Sequence, residues 1–159
     1  MRCRLRDERG SNAVEFALVL PILIMIMFGI FYGGLAYDRQ LTLTQGAREG
    51  ARFGATLPTA PTDDFFDDVF DVALGAAGRH VDASGTDFFA CVRFVPESGT
   101  PTTRTRGTGP PGACTLQGTP PSGPHLQVMV ARTASLELVF FRAQPLVRGE
   151  AFARYEGPS

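Results

Sequence analysis

From residue 16 to residue 37 the chain reads FALVLPILIMIMFGIFYGGLAY, without a charged side chain. Apolar residues fall on every face of a 3.6-residue repeat, so this run predicts a helix with no polar stripe. Such a helix is either deeply buried or surrounded by lipid. About 22 residues rising about 1.5 Å each cover about 33 Å, enough for a hydrocarbon layer of about 30 Å. Pro21 lies near the start of the run, where a membrane helix tolerates a kink. Tyr32 and Tyr37 sit near its far end, as interfacial aromatics do. A removable signal peptide fits less well, because its apolar core is usually roughly 7–15 residues and ends in a small-residue cleavage site. A soluble core helix is rarely so long and apolar on all sides. The pattern therefore predicts a retained single-pass helix.

The remainder changes period. After the breaker TLPTAPT (56–62) comes DDFFDDVFDVALGAAGRH, in which Phe65, Phe66, Val69, Phe70, Ala73, Leu74 and Ala77 follow a three-to-four spacing. That spacing predicts an amphipathic helix, capped by Thr62 or Asp63 and ended by Gly78. Two-residue alternation then marks strands in FFACVRFV (88–95), HLQVMVART (125–133) and SLELVFFR (135–142), with a weaker one in VRGEAFARYE. The segment 96–124, rich in Pro, Gly and Thr, is expected to be a long mobile loop. The fold class expected is α+β: a long N-terminal transmembrane helix, a second helix and a small antiparallel sheet. Residues 1–10, 11–56 and 57–159 are the expected divisions.

Composition narrows the function. The net charge is −1 and hydrophobic residues make up 44%, which excludes a disordered chain and a strongly nucleic-acid-binding one. The segment MRCRLRDERG places Arg2, Arg4, Arg6 and Arg9 against Asp7 and Glu8, whereas beyond the apolar run Asp38 and Arg39 cancel. Positive charge stays on the cytoplasmic side. The N-terminus is therefore expected inside and everything after residue 37 exported. The cysteines show no zinc spacing. If the second half is exported, Cys91 and Cys114 are a disulfide candidate; otherwise they are two free thiols.

The carboxylates Asp63, Asp64, Asp67, Asp68 and Asp71 lack the glycine turn and terminal glutamate of a calcium loop, and read as a solvated helix face. Arg104 and Arg106 read as solubilising cations. His80 and His125 read as surface or capping residues. No Gly-x-Ser-x-Gly, HExxH or P-loop is present. Neither an enzyme, a cofactor nor a metal site is expected.

Glu15 breaks the apolar pattern. A charge in a membrane-length run costs roughly 2.5 kcal/mol or more unless it is paired or lies at an edge. An Arg-rich leader ends in Gly10, and SNAVEF follows, with Glu15 at the fifth place and Phe16 at the sixth. This order is similar to the processing site of type IV pilin-like proteins and resembles the TadE-like pseudopilins of the tight-adherence (Flp) pilus. TLTQGAREGARFGA (42–55) resembles the segment that follows their membrane helix, and VRGEAFARYEG (147–157) their C-terminal strand.

The resemblance implies that a membrane-embedded prepilin peptidase cuts between Gly10 and Ser11. Cys3 would leave with the leader. Glu15 would meet an amine as subunits assemble, although a glutamate snorkelling to the headgroups needs no such partner. The partners implied are that peptidase, other pilins, the assembly machinery and membrane lipid. Paired cysteines in the exported part also belong to the resemblance. Gly29 and Gly33 form a GxxxG that permits close helix approach, and Gly46, Gly50 and Gly54 repeat every four residues as a second packing stripe. The alternative is an uncleaved, single-pass, membrane-anchored binding module.

Overall fold

A computed structural model describes residues 8–58, 61–78, 88–108, 114, 118–133, 136–138, 141–143 and 146–156. The first element is α1 (Glu8–Thr56), with Pro21 inside it. It is long and apolar enough to cross a membrane, and its most apolar stretch is wholly unburied. The chain divides into two compact units, Met1–Leu35 and Ala36–Ser159. The first is described by the α1 residues up to Leu35. The second holds the remainder of α1 and every other element, and the fold class is α+β.

In the second unit, α2 (Asp63–Ala76) starts where Thr62 accepts a hydrogen bond from the Phe65 amide at 3.4 Å. It ends as Ala77 donates back to the Ala73 carbonyl at 3.0 Å. Gly78 follows with φ of 67°, a left-handed conformation that glycine adopts without a Cβ penalty. The apolar spacing puts Phe65, Phe66, Val69, Phe70, Ala73 and Leu74 on the buried face.

The sheet contains β1 (Phe88–Val95), β2 (Thr102–Gly107), β3 (His125–Thr133) and β6 (Leu146–Arg154) in the order β2-β1-β3-β6, antiparallel throughout. Alternation sorts β1 between two faces. Phe88, Ala90, Val92 and Phe94 join Leu126, Val128 and Val130 in the core with both helices. Phe89 and Cys91 point the other way and pack with Met129 and Cys114. An aromatic chain crosses the main core: Phe65 to Phe94 at 6.3 Å and Phe94 to Tyr155 at 5.0 Å, both edge-on. Edge-on pairs place the positive ring rim against the negative ring face. The Tyr155 hydroxyl donates to the Leu57 carbonyl at 3.1 Å.

Three sequence expectations need correction. The segment 96–124 is not one loop, because residues 102–107 form β2. TTRTRG lacks large apolar residues and hides its period from a hydrophobicity reading, yet Thr is β-branched and the strand lies at a sheet edge. The strand expected over 135–142 is two short ones, β4 (Leu136–Leu138) and β5 (Phe141–Ala143), paired with each other with Leu138 opposite Phe141. The alternation holds only through SLEL and stops in VFFR (139–142), so no period marks where one strand ends and the next begins.

The C-terminal strand expected to be weak is nine residues long and pairs along β3. Its core-facing residues are small because α1 lies directly on it: a Cβ at Gly149 would collide with the backbone of Leu43 and Thr44.

Candidate processing and assembly surface

Gly10 and Ser11 lie within the helical backbone of α1. Cys3 and the side chain of Ser11 lie outside the described residues. Glu15 follows Ser11 by four residues, about one helical turn or 6 Å of rise, on nearly the same face. Glu15 is exposed, and no hydrogen bond or ion pair reaches it among the described residues. Phe16 beside it is 64% exposed. Farther along, a Cβ at Gly29 or Gly33 would find nothing within 4 Å. Within its own unit the segment thus presents a carboxylate near one end, bulky apolar side chains on all sides and a small-residue gap. Each of these is a feature that another helix can use.

The second glycine series has a different setting. A Cβ at Gly46 would come within 2.6 Å of the Ala73 carbonyl oxygen, and one at Gly50 within 2.6 Å of the Ala73 Cβ. At Gly54 it would strike Leu126 and approach Val69 to 2.7 Å. These glycines occupy the contact of α1 with α2 and β3 inside one protomer, with Leu43, Ala47 and Ala51 buried alongside.

On the other face of the sheet Cys91 and Cys114 form a disulfide with Cα atoms 5.8 Å apart. The Gly118 amide donates to Glu150 Oε1 at 3.3 Å nearby. The disulfide ties the connection between β2 and β3 to the middle of β1.

Some polar residues have roles that the sequence reading missed. Arg104 and Arg106 stand two residues apart on one face of β2, while Asp63, Asp67 and Asp71 repeat every four residues on one face of α2. Those steps match, at roughly 6–7 Å each. Arg104 Nη2 donates to Asp63 at 2.9 Å; Arg106 donates to Asp67 at 2.7 Å and to Asp71 at 2.6 Å. The guanidiniums also lie over Phe66 and Phe70, at 5.8 and 5.0 Å from the ring centres. Burial works against the charge on Arg106, but its hydrogen bonds to Asp71 and Asp67 and their charges outweigh it and hold its pKa above the ordinary guanidinium value. The complementary spacing of Arg-x-Arg and Asp-x3-Asp-x3-Asp was the available signal.

His125 is buried rather than a surface residue. Its Nδ1 donates to the Gly123 carbonyl at 2.7 Å, and Gln127 Nε2 donates to its Nε2 at 3.2 Å. This places the ring proton on Nδ1. His80 lies outside the described residues. Among the described residues no group of His, Cys, Asp or Glu is arranged to hold a metal ion.

Residues 10–52 match the model of the TadE-like protein family, consistent with a TadE-like pilin of the tight-adherence system. The match takes in roughly a quarter of the chain, beginning at Gly10 and ending within the buried glycine series. No curated protein and no solved structure matches.

Proposed function

We propose, from the TadE-like character of residues 10–52, that this chain is a minor pilin or pseudopilin with a structural, non-catalytic role in a tight-adherence pilus. A prepilin peptidase cleaves the Gly10–Ser11 peptide bond, and the residues before it act as the recognition leader. Hydrolysis leaves an ammonium group on Ser11. Glu15, one turn farther on, then pairs with that amine or with the amine of a neighbouring subunit, which offsets the cost of holding a carboxylate against lipid. Gly29 and Gly33 give adjacent helices room to approach. The N-terminus is cytoplasmic and the second unit is exported.

The observation that carries this reading is the family match opening at Gly10, inside the helix and five residues before Glu15, which makes no ion pair among the described residues. Mass spectrometry of protein isolated from the native membrane tests the processing step. The expected mature chain begins at Ser11, and a Gly10→Leu variant stays uncut. A native chain that still carries Arg2 and Cys3 supports the uncleaved anchored module instead. For the charge pair, a Glu15→Ala variant is expected to be processed but poorly incorporated into pili. Normal incorporation would remove Glu15 from the assembly step.

A further inference from the structure

Two pairs of exposed charges in the second unit have no counterpart within the chain. Arg48 and Arg52 on α1, and Asp64 and Asp68 on α2, are exposed and make no hydrogen bond or ion pair among the described residues. The other aspartates of α2 are engaged, since Arg104 and Arg106 hold Asp63, Asp67 and Asp71.

Helix geometry keeps the two pairs apart in one protomer. Gly46, Gly50 and Gly54 face α2, where they meet Ala73 and Val69. Arg48 and Arg52 each stand two residues from a glycine of that row, about 200° around the helix, and so on the far side of α1. Asp64 and Asp68 precede Val69 and Ala73 by five residues, a net turn of about 140°, and so point away from α1. Two other acids belong to this region. Glu49 adjoins Gly50 and lies nearer α2, and the Glu156 amide donates to the Ala55 carbonyl at 3.3 Å. Neither side chain pairs with Arg48 or Arg52, and residues 157–159 carry no charged side chain.

The two pairs match. Each consists of like charges four residues apart, about 6 Å along a helix, and the signs are opposite. Direction fits as well. Gly46 meets Ala77 whereas Gly54 approaches Phe65, so α1 and α2 are antiparallel. Joining Arg48 to Asp68 and Arg52 to Asp64 of another copy therefore leaves the two α1 segments parallel. Copies inserted in one membrane with the same end inside require that direction.

We propose that the Arg48–Arg52 face of α1 docks on the Asp64–Asp68 face of α2 in a second copy of this chain. It deepens the assembly role proposed for the chain and rests on copies meeting laterally in a membrane. The contact is heterologous, so each added copy leaves one face free and the row extends. Exposed ion pairs are individually weak. The contact therefore selects neighbour and register, while the apolar helices hold the copies together.

Gln45 is exposed three residues before Arg48, on the same face. A photo-reactive benzophenone amino acid at position 45 of the full chain, irradiated in the native membrane, is expected to give a dimer linked to α2 of the second copy, as read by mass spectrometry of the joined peptides. Arg48→Glu with Arg52→Glu should lower the dimer yield about tenfold, and so should Asp64→Arg with Asp68→Arg, because each sets like charges face to face. All four substitutions in one chain should restore the yield to within about twofold. A yield unchanged by reversal, or not restored by the fourfold variant, overturns the contact. Links only to lipid or to a different protein overturn it too. Urea midpoints check folding, and the single variants Arg48→Glu and Asp68→Arg, each with an expected loss of about threefold, replace a double variant that is destabilised. Absence of the dimer leaves the processing step standing, since that depends on a mature chain starting at Ser11. An uncut chain that still forms the dimer removes the peptidase step and keeps the contact.

Discussion

One added carbon separates two kinds of glycine in α1. At Gly50 it would sit 2.6 Å from the Ala73 Cβ, whereas at Gly29 and Gly33 it would meet nothing within 4 Å. A Gly50→Val substitution is therefore expected to destabilise the folded unit by about 2 kcal/mol through overpacking, read as a lower denaturation midpoint. Gly33→Ala has the opposite expectation. It should leave folding unchanged or stabilise the helix by up to about 1 kcal/mol, so any loss of pilus incorporation comes from contacts between chains. A drop in the folding midpoint of Gly33→Ala would show that its site is already occupied within the protomer. The four-residue spacing of Gly46, Gly50 and Gly54 was legible because one helix face is a local property. Gly149 was not. Its importance lies in a close approach to Leu43, and a contact between residues so far apart in sequence leaves no local period.

At the scale of elements, α2 is fixed to the sheet by two kinds of force that act together. Its phenylalanines fill the core, and β2 reaches over Phe66 and Phe70 with Arg104 and Arg106 to hold the aspartates beyond. The ion pairs are largely open to solvent, so each is worth at most about 1 kcal/mol. A cation over a ring adds roughly 0.5–1 kcal/mol. Arg106→Ala should therefore cost about 1–2 kcal/mol, and part of that loss should disappear at 1 M salt, where the Debye length is about 3 Å.

The sign of any pH effect follows from the pKa of Arg106. A value raised above the ordinary guanidinium one means that its contribution is present in full below the unfolded value and is lost only as pH climbs through the folded one. Between pH 6 and pH 9, roughly, the cost of Arg106→Ala should not change through Arg106 itself; urea titrations at both ends of that range check this. The helix of this pair was legible from its apolar stripe. Its strand was not, since TTRTRG alternates Thr with Arg and shows its period only once α2 supplies the facing charges.

For the molecule as a whole, the disulfide links stability to compartment. Cys91 and Cys114 are 23 residues apart, and closing a loop of that size restricts the unfolded chain by about 3 kcal/mol on the entropic model. The bridge also holds Cys114 over Phe89 and Met129, a small apolar cluster on the sheet face away from the helices. Removing it should lower the stability of the second unit without disturbing the main core, whose residues lie on the other face. Cys91→Ala with Cys114→Ala is thus expected to lower the unfolding free energy by about 3 kcal/mol while strand content is retained, as measured by urea denaturation with circular dichroism.

The same pair reports topology, because such bonds persist outside the reducing cytosol. Cells lysed into a thiol-blocking maleimide should yield full-length chain labelled at Cys3 if uncut, and processed chain without label, since Cys91 and Cys114 are already joined. Labelling of both cysteines in unreduced native protein would place the second unit in the cytoplasm. The apolar run would then cross in the other direction or not at all, and the proposed cytoplasmic position of the N-terminus would fall.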